Sequence, residues 1–115
     1  MDKKAVLATV QHYLDYAPTD SERAHEIYHD DAVLEFPQSH ERFEGKANFM
    51  AWRKRYPAKV EFEIRRIWGQ DNFWVIEASV RYDSGPWNYG VSIHEFSGDK
   101  IIRETIYYGE GWDAP

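Results

Sequence analysis

Residues 25 to 29 read His-Glu-Ile-Tyr-His, a match to the H-E-x-x-H pattern in which two histidines four apart on a helix hold zinc and the glutamate between them activates its water. That chemistry needs a helix running through both histidines and a third ligand. Asp30-Asp31 closes the predicted helix directly after His29, no third-ligand motif follows, and on a stripe set by Ala24, Ile27 and Tyr28, His25 falls at the edge while Glu26 and His29 turn toward water. The match is therefore read as a chance one, and no metal is expected. Three other side chains carry acid–base potential. Glu104 lies between Ile102 and Ile106 at strand spacing, where desolvation would raise its pKa into a proton-transferring range. The competing reading makes it a structural acid that pairs with an arginine or accepts from Tyr13 or His94. A histidine such as His94 can give or take a proton near neutral pH. Tyr13 stands on the apolar stripe of its helix, so its ring either packs or offers its hydroxyl to a ligand.

Other chemistries lack their parts. No glycine-rich phosphate loop and no nucleophile-elbow pattern occur. Without cysteine there is no thiolate nucleophile, disulfide framework or Cys-ligated zinc. The net charge of -6 opposes nucleic acid and anionic membrane surfaces, which call for a basic face, and favours a neutral or cationic small partner. Aromatic residues make up 17% of the 115, a heavy load for one small core, so some rings are expected to line a cavity or an interface. The apolar residues of the first helix are spaced rather than continuous, unlike a signal-peptide core, and no run approaches the ~20 apolar residues of a membrane span. A cytoplasmic protein is expected.

Helical spacing over residues 4 to 17 aligns Val6, Leu7, Val10, Tyr13, Leu14 and Ala17, and Pro18 ends that element. Thr19-Asp20-Ser21-Glu22 has capping-box spacing and opens a short second helix; a strand over residues 32 to 36 follows. Pro37 and QSHERFEG read as a loop, and Glu35 as an interface or surface acid. A third helix over 46 to 56 presents Phe49, Trp52 and Tyr56 on one face, leaving the run Arg53-Lys54-Arg55 as its solvated side. From residue 59 the period changes to two. Strands over 59 to 68, 72 to 83, 87 to 97 and 100 to 109 are separated by turn residues and form an antiparallel meander. The result is one α+β domain spanning residues 1 to 115, three N-terminal helices against one sheet face. Alternation places Trp74, Ile76, Ala78, Val80 and Tyr82 on the helix side of the second long strand. In the last strand both faces carry apolar and aromatic groups, which predicts a homodimer through the outer sheet face.

This element order, with HDDAVLEFPQSHERFEGKANFMAW and the ending GDKIIRETIYYGEGW, resembles the SnoaL-like proteins of the nuclear transport factor 2 superfamily over nearly the whole chain. The resemblance implies a cone-shaped α+β barrel whose strongly bent, mostly antiparallel sheet wraps a helix around a deep pocket. It also implies cofactor-independent chemistry of the isomerase, cyclase, hydratase or hydrolase kind on a small, mostly apolar or aromatic ligand. Set against ketosteroid isomerase, Tyr13 falls at the oxyanion tyrosine and His94 at the protonated aspartate of the oxyanion hole. The proton-shuttling aspartate, which stands just before the proline ending the first strand, is here Phe36, and a phenyl ring carries no proton. The family's pocket parity selects Ile102, Glu104, Ile106 and Tyr108 in the last strand and Trp52 in the third helix. Phe36, Phe49, Ile76 and Trp87 complete the expected walls. Glu104 is then expected as acid or base, with Tyr13 and His94 polarising a ligand oxygen. The alternative is a non-catalytic ligand-binding or dimerisation module, for which Phe36 in place of the acid is the sequence argument.

Overall fold

A computed structural model describes residues 1–115. Helix α1 (Lys3–Tyr16) begins where the Asp2 carboxylate accepts from the Ala5 amide at 2.8 Å, satisfying one of the unpaired donors of the first turn. Its stripe buries Val6 and Val10 and lays Tyr13 and Leu14 against the core. Helix α2 (Ser21–Ala24) is a single turn capped by Asp20, and it tightens into a 3-10 turn over His25–Ile27. The chain then extends as β1 (Tyr28–Phe36), makes a second 3-10 turn over Pro37–Ser39, and returns as β2 (Glu41–Glu44). Helix α3 (Lys46–Arg55) stops before Pro57 and is followed by β3 (Val60–Gln70), β4 (Phe73–Tyr82), β5 (Asn88–Ser97) and β6 (Lys100–Gly109).

All six strands join one curved sheet in the order β2-β1-β6-β5-β4-β3. The predicted meander is present from β3 to β6, and β1 lies parallel to β6, the one parallel pairing. The helices cover one face, with α1 across β3 and α3 across β1 and β2. Between them lies a core of Val6, Tyr28, Leu34, Phe49, Trp74, Phe96, Ile101 and their neighbours.

The structure corrects several local expectations. The second helix ends at Ala24 and β1 starts at Tyr28 rather than residue 32, so the first histidine of the H-E-x-x-H match sits in a 3-10 turn and the second in a strand. The polar segment after Pro37 contains β2, which pairs with β1 through Leu34 opposite Phe43. Polar strand residues were read as a loop because an edge strand with solvent on its open side has no apolar alternation to show.

The largest departure is in β6. Phe96 of β5 faces Ile101 and Glu95 faces Arg103, so Ile102 is the extra residue of a β-bulge. Crossing it shifts the parity: Ile101 joins Glu104 and Ile106 on the helix side, and Ile102 is only half-buried and outside the core. Strict alternation misassigned that position because one inserted residue exchanges the two faces. Ile101 is 0% exposed. Urea unfolding should therefore separate the pair: Ile101→Ala is expected to lose ~2–5 kcal/mol, the range for an emptied core isoleucine site, and Ile102→Ala less than about 1 kcal/mol. Equal losses would contradict the bulge register.

Candidate buried acid–base site

The β5–β6 register sets His94 directly opposite Glu104 on the helix side of the sheet, and both are buried, at 6% and 5% exposure. His94 Nε2 lies 3.3 Å from Glu104 Oε1. Tyr28, at the start of β1, donates its hydroxyl to the same oxygen at 2.5 Å, while Ser92 on β5 donates to Oε2 at 3.1 Å. From above, α3 brings Arg53, whose Nη2 is 3.7 Å from Oε2. The other guanidinium nitrogen, Nη1, donates to the Tyr28 hydroxyl at 3.1 Å and to His25 Nε2 at 3.2 Å. His25 in turn uses Nδ1 on the Ser21 carbonyl at 2.6 Å, which fixes its tautomer: Nδ1 carries the proton and Nε2 accepts.

The electrostatics follow from these contacts. Burial disfavours a charge on Glu104, but the charge and hydrogen bond of His94, the Arg53 guanidinium and the Tyr28 hydroxyl outweigh it and hold the carboxyl at about 2. The expectation of a raised Glu104 pKa is thus reversed. Desolvation acts as anticipated, and a ring of donors overrides it. Burial, reinforced by the Arg53 charge, lowers His25 to about 4, and burial lifts the Tyr28 phenol well above its ordinary value. Arg53 stays fully charged.

Every fully buried side-chain polar atom of this group has a partner except one. His94 Nδ1 is buried without a hydrogen bond. With Nε2 turned to the carboxylate, Nδ1 presents a bare lone pair whenever the ring is neutral, and a buried ring nitrogen without a partner calls for an explanation such as a catalytic role or a missing partner.

Glu104 and His94 therefore meet, whereas Tyr13 touches neither. Its ring packs edge-on against His25 and Tyr28, under the Arg53 guanidinium at 5.2 Å. Phe49, Ile76 and Ile106 belong to the closed core. Phe36 and Trp52 lie 5.5 Å apart with Phe43 against Trp52 and Tyr108 alongside Phe36, a cluster of rings beyond the core. Gly90 admits the Tyr108 ring, since a Cβ there would stand 2.8 Å from its edge. Trp87 is no wall of this interior: it is exposed, with Arg81 stacked on its ring at 4.6 Å. Glu35 joins Arg42 and Arg103 in an outer-face ion-pair ladder. His29 bonds the Ser97 carbonyl, far from the contacts of His25, and no three His, Asp or Glu side chains gather where they could hold a metal.

Sequence reading missed Arg53, placed in a basic run on the solvated side of α3. The signal was present in its spacing: Arg53 lies four residues after Phe49 and so shares that buried face. His25 likewise was placed at the edge of the stripe and is fully buried.

Comparison with known proteins places these features in a family. The profile of the SnoaL-like domain matches residues 10–104. An NTF-2 like protein of unknown function from Burkholderia xenovorans LB400 is 40% identical, superimposes with a TM-score of 0.84, and is covered over 98% of this chain and 86% of its own. An LEH-like epoxide hydrolase of M. tuberculosis is similar in fold at 18% identity, with a TM-score of 0.77 over 92% of this chain and 84% of its own. A protein of ketosteroid isomerase-like fold from Catenulispora acidiphila DSM 44928, in complex with trimethylamine, reaches 0.73 at 15% identity, over 94% and 87%. The search of curated proteins found no match.

Two outcomes test the electrostatics. Arg53→Met should cost ~3–5 kcal/mol in chemical denaturation, because Glu104 would keep its buried charge without a counterion, whereas exposed Arg55→Met should stay within ~0.5 kcal/mol. The unfolded chain protonates His25 below pH 6.5 and the folded chain only near 4, so stability should fall as pH drops through that interval, by roughly 3 kcal/mol in all. His25→Gln should flatten the slope between pH 6.5 and 4; an unchanged slope would mean that His25 is charged in the fold.

Proposed function

Because this chain belongs to the SnoaL-like domain family, we propose that it is a cofactor-independent enzyme of the isomerase, cyclase, hydratase or hydrolase kind, acting on a small, mostly apolar or aromatic ligand by acid–base chemistry. The observation that carries this reading is the buried, unpartnered Nδ1 of His94 behind an Nε2 engaged by Glu104. A carboxylate on one imidazole nitrogen fixes the tautomer and stabilises the imidazolium that forms when the other nitrogen takes a proton. In this reading Nδ1 accepts a proton from a ligand C–H, O–H or activated water and returns it to another atom of the same ligand. Glu104 stays ionised throughout and positions His94. Its low pKa suits that part better than proton carriage, so the roles expected from sequence are exchanged. Tyr13, Phe36, Trp52 and Tyr108 would face the ligand as rings, with Phe36 replacing an acid by an apolar wall.

The fold-level likeness to an epoxide hydrolase and to an isomerase-like fold supports the reaction class and leaves the substrate open. A second reading, a non-catalytic binding or dimerisation module, draws on the ring cluster of Phe36, Phe43, Trp52 and Tyr108, whose side chains fill space that a ligand would take. Both readings include a homodimer through the outer sheet face, where Trp68, Phe73, Tyr89 and Tyr107 are exposed. Both also keep the protein in the cytoplasm; no helix is long and apolar enough to cross a membrane.

Thermal-shift screening with hydrophobic ketones, esters and epoxides, followed by turnover assays on the hits, separates the two readings. The enzymatic one expects at least one compound to raise the Tm and be converted, and His94→Phe to lower kcat by ~10²–10⁴, the usual weight of a general acid–base group, while the variant still unfolds cooperatively. Binding with undiminished turnover in His94→Phe would remove His94 from the chemistry. Binding without any turnover would favour the module.

A further inference from the structure

On the outer sheet face, opposite the buried site, Glu77, Val91 and Tyr107 stand side by side across β4, β5 and β6. With Arg65 and Tyr89 they line a depression of about 210 Å³, open to solvent and of a size to take one bicyclic aromatic side chain. Its charges are unequal. Glu77 is paired with Arg66, whereas Arg65 has no carboxylate partner and rests its guanidinium 5.6 Å from the centre of the Tyr89 ring. One cation over an aromatic floor is a seat for an aromatic group accompanied by negative charge.

Such a group leaves the rim of this same depression. Gly109 lines it, the backbone at Gly111 runs against the Tyr89 ring, and Trp112 follows with 87% of its surface exposed. Glu110 and Asp113 flank that indole, and neither is ion-paired. An indole this exposed, carried between two acids, is complementary in shape and in sign to the depression it has just passed. The indole is too exposed to occupy the depression of its own copy. A two-fold interface is built from the same patch on both subunits, and here one patch contains both the seat and its occupant.

We propose that residues 109–113 of each copy exchange across the outer face, Trp112 entering the other copy's depression between Tyr89 and Tyr107 while Glu110 and Asp113 meet its Arg65. This inference rests on the homodimer reading above and adds the segment and the residues that hold it. In the dimer, the exposed aromatic residues of the outer face and the unpaired Arg65 are both accounted for by a second copy of this chain.

Sedimentation velocity over a concentration series, on the wild type, Trp112→Ala, Arg65→Glu, and Arg65→Glu combined with Glu110→Arg and Asp113→Arg, tests it. The wild type should dimerise, each of the first two variants should dissociate at roughly thirtyfold higher concentration, the weight of a central Trp or charge contact, and the charge-exchanged variant should regain most of the loss. Wild-type dimerisation by Trp112→Ala and Arg65→Glu would overturn the tail exchange and leave the dimer standing. A lower Tm for Trp112→Ala with unchanged dimerisation would place the indole in its own copy, also overturning it. A wild type that is monomeric at every concentration would overturn the dimer and the exchange together.

Discussion

The charge on Glu104 is the constraint around which the interior is arranged. A carboxylate 5% exposed in the middle of a sheet is tolerable only with a counterion and with its lone pairs occupied. The neighbouring elements share that requirement: β1 supplies a phenol, β5 a hydroxyl and an imidazole, α3 a guanidinium. The parallel pairing of β1 with β6 brings Tyr28 across from Ile101, close enough to reach the carboxylate. Arg53 then ties the 3-10 turn through His25, so a segment with little helical length is held by hydrogen bonds as well as by packing. Since removing one partner of such a set leaves another charge or donor buried and unpaired, the network specifies the docking of α3 more strongly than apolar contact alone would.

The sequence displayed what is periodic. Helix α1 and the four long strands follow from spacing, and their order, with the resemblance, was enough for the family and the fold class. What escaped it lacks a period. Strand β2 is an exposed edge; α2 is a single turn whose continuation is set by where His25 and Tyr28 find partners; the bulge at Ile102 breaks the very alternation used to assign faces. Arg53 was hidden for another reason. A basic triplet on a helix usually faces water, and only its spacing from Phe49, together with a carboxylate about fifty residues away in sequence, turns one member inward. Long-range charge pairing is a tertiary property, invisible to any local window.

The same network separates two roles that sequence alone merges. Glu104, His94 and Tyr13 were expected to act together because their types suit acid–base chemistry. In the fold, Glu104 is committed as an acceptor and Tyr13 to packing under Arg53. His94 alone keeps a fully buried polar atom without a partner.

That difference follows from geometry more than from residue type. The ring of His94 spans from the carboxylate on one side to an apolar interior on the other, with Phe96 at 6.3 Å. A proton arriving at Nδ1 would place positive charge in that interior, where only the ionised Glu104 lies close enough to stabilise it. Glu104 is thus a fixed anion with a histidine beside it, and under the proposed function proton transfer at this site falls to the imidazole.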